Sequence, residues 1–172
     1  MKIRPLTPEY APKAAALLLQ AFAPSKNEVQ LFDALHAKER ELHEWVCIHR
    51  DAVVAYVCFS PAYDGNEVCG LHLAPLAVKP QMQGQGIGSE LLRFALRQEP
   101  IKESAIFVLG KSSFYQKFGF APCAAPICPF AKNNAHFLSL RSNPPHSYIV
   151  GYAPEFKLLA TPQKPGKKKS RR

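Results

Sequence analysis

The sequence predicts a mixed α+β or α/β layer domain, on three observations. Two apolar, β-branched stretches flank Arg50-Asp51 and read as an antiparallel hairpin. Glu67–Val78 is apolar and runs through a glycine-rich turn into an amphipathic helix beginning near Gly86. The order of elements is β, α, α, β, β, β, α, β, α and then strand-like segments, the pattern of a sheet covered by helices.

Each element follows from its local pattern. Lys2–Pro5 is a short opening strand. Residues 7–22 carry Leu17, Leu18, Ala21 and Phe22 at helical spacing, with Thr7 as N-cap. Residues 28–37 form a second helix, with Val29, Phe32 and Leu35 on one stripe. Strands follow at 44–49 and 53–59. Residues 60–66 read as a loop, because Pro61, Asp64, Gly65 and Asn66 crowd together there. Glu67–Val78 is a long strand containing Pro75, which cannot donate to a ladder, so a bulge or an unpaired side is expected near it. A turn over 79–85 leads to the helix from Gly86, where Ile87, Leu91, Leu92, Ala95 and Leu96 share a face. Residues 104–109 are a short buried strand, and 112–118 a short helix with Gly119 as its C-cap. Farther on, 135–140 and 147–152 read as paired strands.

Composition and charge narrow the function classes. The 172 residues are 47% hydrophobic, enough for a core, and the length suits one domain over residues 1–160. The formal net charge is +9, but the last twelve residues hold six Lys and Arg and no acid, which leaves +3 for the rest. The basicity therefore belongs to a tail at 161–172, expected to be disordered, rather than to a nucleic-acid-binding fold. No apolar run reaches the roughly 18 residues of a membrane span. Glu9, Pro12 and Gln20 break up the segment ending in Ala21-Phe22-Ala23, so no signal peptide is expected. The five cysteines are odd in number and lack C-x2-C spacing, so a reducing, cytoplasmic compartment and no metal site are expected.

The strongest chemical signal is Leu76-Ala77-Val78, a turn, and then Gln83-Gly84-Gln85-Gly86-Ile87-Gly88-Ser89. A helix start exposes unpaired N–H groups and a positive dipole end, and glycines let an anion approach them closely. The same glycines also suit close helix–strand packing alone. No Lys follows Gly88, so the run is not a Walker loop, and the glycine spacing does not fit a dinucleotide fingerprint.

The run resembles the acyl-CoA motif of the GCN5-related N-acetyltransferase (GNAT) superfamily, Gln/Arg-x-x-Gly-x-Gly/Ala after a strand ending apolar-x-Val. A second block, Val108-Leu109-Gly110-Lys111-Ser112-Ser113-Phe114-Tyr115-Gln116-Lys117-Phe118-Gly119-Phe120, resembles the closing strand–helix element of that family. The phrases look closest to a bacterial branch of predicted acetyltransferases. The resemblance implies a central, mostly antiparallel twisted sheet, splayed at an acyl-CoA cleft, with helices on both faces. It also implies acetyl-CoA as acyl donor and an N-acetyltransferase acting on a primary amine, of a small molecule or a protein, by direct attack on the thioester.

Roles carried over by the resemblance are these. Leu76, Ala77 and Val78 lie along the pantetheine arm, with the backbone of Leu76 and Val78 pairing to it. The amides of Gly84, Gln85, Gly86, Ile87, Gly88 and Ser89 take the pyrophosphate, and Gln83 borders that turn. An N–H near Val78 stabilises the oxyanion. Tyr115 points its hydroxyl at the sulfur and protonates the leaving thiolate; without the resemblance it reads as a helix aromatic beside Phe114 and Phe118. The general base is open between His72 and Glu67 on the same strand. Five residues apart, they face opposite sides unless a bulge intervenes. His72, between Leu71 and Leu73, also reads as a buried, satisfied histidine, and Glu67 as a loop-closing residue.

The sequence departs from the family at Val108, where many members carry an Asn, with Gly110, Ser112 or Ser113 left to supply a polar contact, and at Lys111. The acceptor pocket falls to the helix pair around 21–37 and to residues past 120, where no motif identifies the amine. Two other readings stand beside the enzyme: a non-catalytic acyl-CoA-binding sensor, and an RNA- or ribosome-associated protein acting through its basic tail. A monomer or a homodimer fits equally.

Overall fold

Arg50 and Asp51 both take positive φ, 47° and 60°, the hand that a two-residue hairpin turn requires. They join β2 (His43–His49) to β3 (Ala52–Asp64) in the computed structural model, which describes residues 1–131 and 134–160. The basic tail at 161–172, and with it the reading that the chain acts through that tail, lies outside the described residues. With β1 (Lys2–Pro5), β4 (Glu67–Val78), β5 (Ile106–Leu109), β6 (Ala121–Pro122) and β7 (Phe137–Leu140), these strands form a sheet of order β1-β2-β3-β4-β5-β7-β6. Every pairing is antiparallel except β4 with β5.

Helices cover both faces. On one, Leu17 and Leu18 of α1 (Ala11–Ala21) and Phe32 of α2 (Asn27–Ala37) pack on Val46, Tyr56 and Ala77. On the other, Ile87, Leu91, Leu92 and Ala95 of α3 (Ile87–Ala95) pack on Val57, Phe59, Leu71 and Leu73. Each fully buried Leu contributes about 1.5–3 kcal/mol. A short α4 (Ser112–Tyr115) follows β5, and Gly119, at φ 90°, closes the turn after it. The described chain ends in α5 (Lys157–Ala160). Just before it, Ala153 and Phe156 pack on Leu31 and Leu35, and Arg40 pairs with Glu155 at 2.9 Å.

Three local expectations are corrected. Residues 60–66 are not a loop: β3 continues to Asp64 and only Gly65 and Asn66 turn, because buried Ala62 and its neighbours pair with β4. Residues 147–152 do not pair with 135–140; β7 lies between β5 and β6, while Gly151 bridges Tyr63 and Ile149 bridges Ile127. Thr7 is not the N-cap of α1. Its carbonyl accepts from Tyr10 and Ala11 in a preceding turn, and Tyr10 caps the helix.

β4 sets the site. It pairs with β5 only at Leu71↔Ile106 and His72↔Phe107, and then the two strands part. The bulge expected at Pro75 is present: Ala74 and Pro75 stand opposite Cys58 alone, between Phe59↔Leu73 and Val57↔Leu76. The junction is tight at its base. A Cβ on Gly70 would lie 2.4 Å from the Ala105 carbonyl oxygen, and that oxygen accepts the Leu71 N–H at 2.8 Å. Gly70→Ala is therefore expected to destabilise by about 1–3 kcal/mol, read as a lower midpoint in denaturant. A midpoint equal to wild type would show that the junction is slack.

Candidate active site

The parting of β4 from β5 leaves one edge of β4 without a partner strand beyond His72. Lys79 donates its N–H to Val54 of β3 at 2.8 Å. Strand alternation then turns the backbone groups of Val78 and Leu76 away from β3, toward the gap. Ala77 faces the other way; its side chain is buried against α1, so of the three predicted residues only Leu76 and Val78 line the cleft. Gln83 reaches back, donating from Nε2 to the Val78 carbonyl at 3.1 Å.

The cleft has a volume of about 810 Å³ and runs from Leu76 and Val78 over the glycine turn to α4. Gln83, Gly84, Gly86, Ile87, Gly88 and Ser89 line it, whereas Gln85 is exposed outside it and donates to the Gln81 carbonyl at 3.3 Å. Gly84 and Gly86 adopt φ of 74° and 84°, which costs an L side chain but not glycine. The first bond of the helix is Glu90 N–H to the Gly86 carbonyl, 3.0 Å. The amides of residues 84–89 have no backbone or side-chain acceptor among the described residues. Lys111 and Lys117 add positive charge to the wall, a contribution carried by no motif of the turn itself. Met82 and Phe114 complete the apolar lining and were invisible to spacing arguments.

Tyr115 lies on the far wall. Its ring stacks edge-on to Phe114 at 5.0 Å and to Phe120 at 5.7 Å, and burial raises its hydroxyl to about 12, so it holds its proton at neutral pH. A Cβ on Gly110 would come within 2.8 Å of that ring, so Gly110 makes the placement possible.

The two predicted bases fare differently. Glu67 is exposed at the hairpin end of β4 and lines no cavity described here; it pairs in register with Asp64. A bulge at Cys69, between Tyr63↔Val68 and Ala62↔Gly70, breaks the simple alternation between positions 67 and 72. His72 sits at the start of the splay, 1% exposed. Its ring stacks on Tyr152 with centroids 3.4 Å apart, and Nε2 donates to the Gly151 carbonyl at 3.0 Å. That bond leaves Nδ1 as an unprotonated, buried acceptor with no partner. Burial lowers its pKa to about 3. His72 faces a second chamber, of about 190 Å³, shared with Ala74, Val108, Phe130 and Tyr152. Its wall is shared between β4 and β5 and the residues Phe130, Tyr152, Phe156, Leu159 and Ala160, and α2 backs it through Leu31 and Leu35.

Among the described residues no helix is long and apolar enough to cross a membrane, and no cluster of side chains could hold a metal ion. Comparison with known proteins agrees with the geometry. The family described as acetyltransferase (GNAT) domain matches residues 40–122. The uncharacterised N-acetyltransferase YhbS of Escherichia coli (strain K12) is 30% identical over 124 residues, 70% of this chain and 73% of that one. A crystal structure of the Escherichia coli YhbS in complex with CoA superposes with a TM-score of 0.82, at 28% identity and 91% coverage of both chains. An acetyltransferase of Brucella melitensis in complex with acetyl-CoA gives 0.75, at 28% identity, covering 90% of this chain and 97% of that one.

The buried neutral imidazole has a consequence for stability. Its folded pKa, about 3, lies below the ordinary 6.5, so the unfolded chain takes up a proton that the folded chain refuses. The contribution is present above pH 6.5 and is lost as pH falls toward 3. His72→Phe, which keeps a ring against Tyr152, is expected to flatten the fall of Tm across that acid window. Parallel wild-type and variant curves would refute it.

Proposed function

Since the chain belongs to the GNAT family of acetyltransferases, we propose that it transfers an acetyl group from acetyl-CoA to a primary amine. The C–N bond forms by direct attack on the thioester carbonyl as the C–S bond breaks. The observation that carries this reading is the row of unpaired amides at 84–89 beside the unpaired edge of β4. Both fit a diphosphate joined to an amide-bearing arm.

Bound acetyl-CoA would supply an activated acetyl group. The amides of residues 84–89 and the positive end of α3 hold the diphosphate, with Lys111 and Lys117 adding charge. Leu76 and Val78 take the arm as an added strand. The Val78 N–H donates to the carbonyl oxygen as it gains negative charge. Tyr115, kept protonated by burial, gives its proton to the departing sulfur and recovers it from solvent. Neither Glu67, far along β4, nor His72, held neutral, is read as the base. The amine loses one proton to water before it reaches the carbonyl, and its nitrogen releases a second to water once the C–N bond has formed, leaving a neutral amide and a thiol.

Tyr115→Phe tests this reading. It is expected to lower kcat by on the order of 10²–10⁴ while the Kd for acetyl-CoA, measured by calorimetry, stays within about twofold. Unchanged kcat would remove Tyr115 from the mechanism, and no heat of binding would remove the donor site.

A further inference from the structure

The chamber beside His72 begins where the donor cleft ends. On β4 the cleft is lined by Leu76 and Val78 and the chamber by His72, Leu73 and Ala74; on the facing side the cleft takes Gly110 and the chamber Val108 and Leu109. The bulge at Ala74–Pro75 separates the two. The two spaces therefore adjoin at the splay, where the reacting carbon must lie if the reading above is right.

The chamber's chemistry is narrow. Its walls are aliphatic and aromatic: Phe107 and Phe156 tilt toward the His72 ring at 5.9 and 6.2 Å, and Phe130 meets Tyr152 edge-on at 4.8 Å. Neither a carboxylate nor a cationic side chain lines it among the described residues. The Tyr152 hydroxyl is engaged with Cys128 Sγ at 3.5 Å, which leaves His72 Nδ1 as the unpaired side-chain polar atom of the lining. A buried lone pair without a donor costs free energy that an incoming N–H or O–H would recover. A volume of about 190 Å³ compares with the roughly 150 Å³ apolar cavity that holds one benzene ring. A charged ammonium or a string of charges would enter here unpaired, at a large cost.

We propose that this chamber selects the acceptor: a primary amine carried on one uncharged, ring-sized apolar body with a hydrogen-bond donor for His72 Nδ1, rather than a polyamine, an aminosugar or a lysine side chain. The proposal rests on the transferase reading and adds the substrate class. His72 acts in it as a positioning residue, holding the acceptor by an accepted hydrogen bond.

The full chain would be assayed with acetyl-CoA against benzylamine, 2-phenylethylamine and tyramine, and against spermidine, kanamycin and Nα-acetyl-lysine amide. Acetyl-CoA binding is followed separately by calorimetry. The ring-bearing amines are expected to lead in kcat/KM by on the order of 10–100-fold, with tyramine, whose phenol can donate to His72 Nδ1, ahead of 2-phenylethylamine and benzylamine, which lack that donor. Leu159→Glu, at the chamber wall on a residue 37% exposed, places a carboxylate there without burying it. It should raise the KM for the ring-bearing amines at least about tenfold and leave the KM for acetyl-CoA unchanged. Should spermidine, kanamycin or the lysine derivative lead while acetyl-CoA still binds, the chamber proposal is overturned and the transferase reading stands. Should acetyl-CoA fail to bind, both fall. A Leu159→Glu protein with the wild-type order of preference and unchanged KM for the amines also overturns the chamber as the selecting element.

Discussion

Two residue pairs hold β4 to β5, and the ladder then stops. A strand in the middle of a sheet ordinarily satisfies its backbone on both sides, since an unpaired buried amide or carbonyl is costly. Here β4 keeps β3 along nearly its whole length and gives up β5 after His72. Everything that distinguishes the molecule follows from that interruption: an edge of β4 without a partner strand, a cleft along it and a second hollow beside the parting. The bulge at Ala74 and Pro75 works in the same direction. It shifts alternation so that Leu73 and Leu76 both face α3, although they stand an odd three positions apart.

The glycine turn then adds polarity to an opening made by topology. Left-handed backbone at Gly84 and Gly86 lets the chain reverse and start α3 with several amides facing out. Those donors lack acceptors because of where a helix begins. The strong apolar face of α3, sealed against β3 and β4, fixes where they point. The direction of these amides is thus set by packing on the buried side of the helix.

Residues 71–120 were well legible in the sequence because their constraints are local. A glycine needed for positive φ, a helix stripe at Ile87, Leu91 and Leu92, and a proline in a strand each state their structure within a few positions. Three other regions were less so. Pro61 and Asp64 look like loop residues, and only pairing with β4 makes them strand. Alternation set positions 67 and 72 on opposite faces without saying which faced the gap, and Glu67 lies at the exposed hairpin end. The wall built by Phe130, Tyr152 and Phe156 has no periodicity; those residues meet through bridges to Tyr63 and packing on α2, contacts between positions far apart in the chain. Ala77 shows the same limit at one residue's scale, since its motif position was clear and its face was not.

The two hollows on either side of the parting are made from different stretches of polypeptide. One is written almost wholly between positions 76 and 117, the other borrows half its wall from the final thirty or so described residues. Drift in the closing segment can therefore reshape one compartment while the other keeps its form.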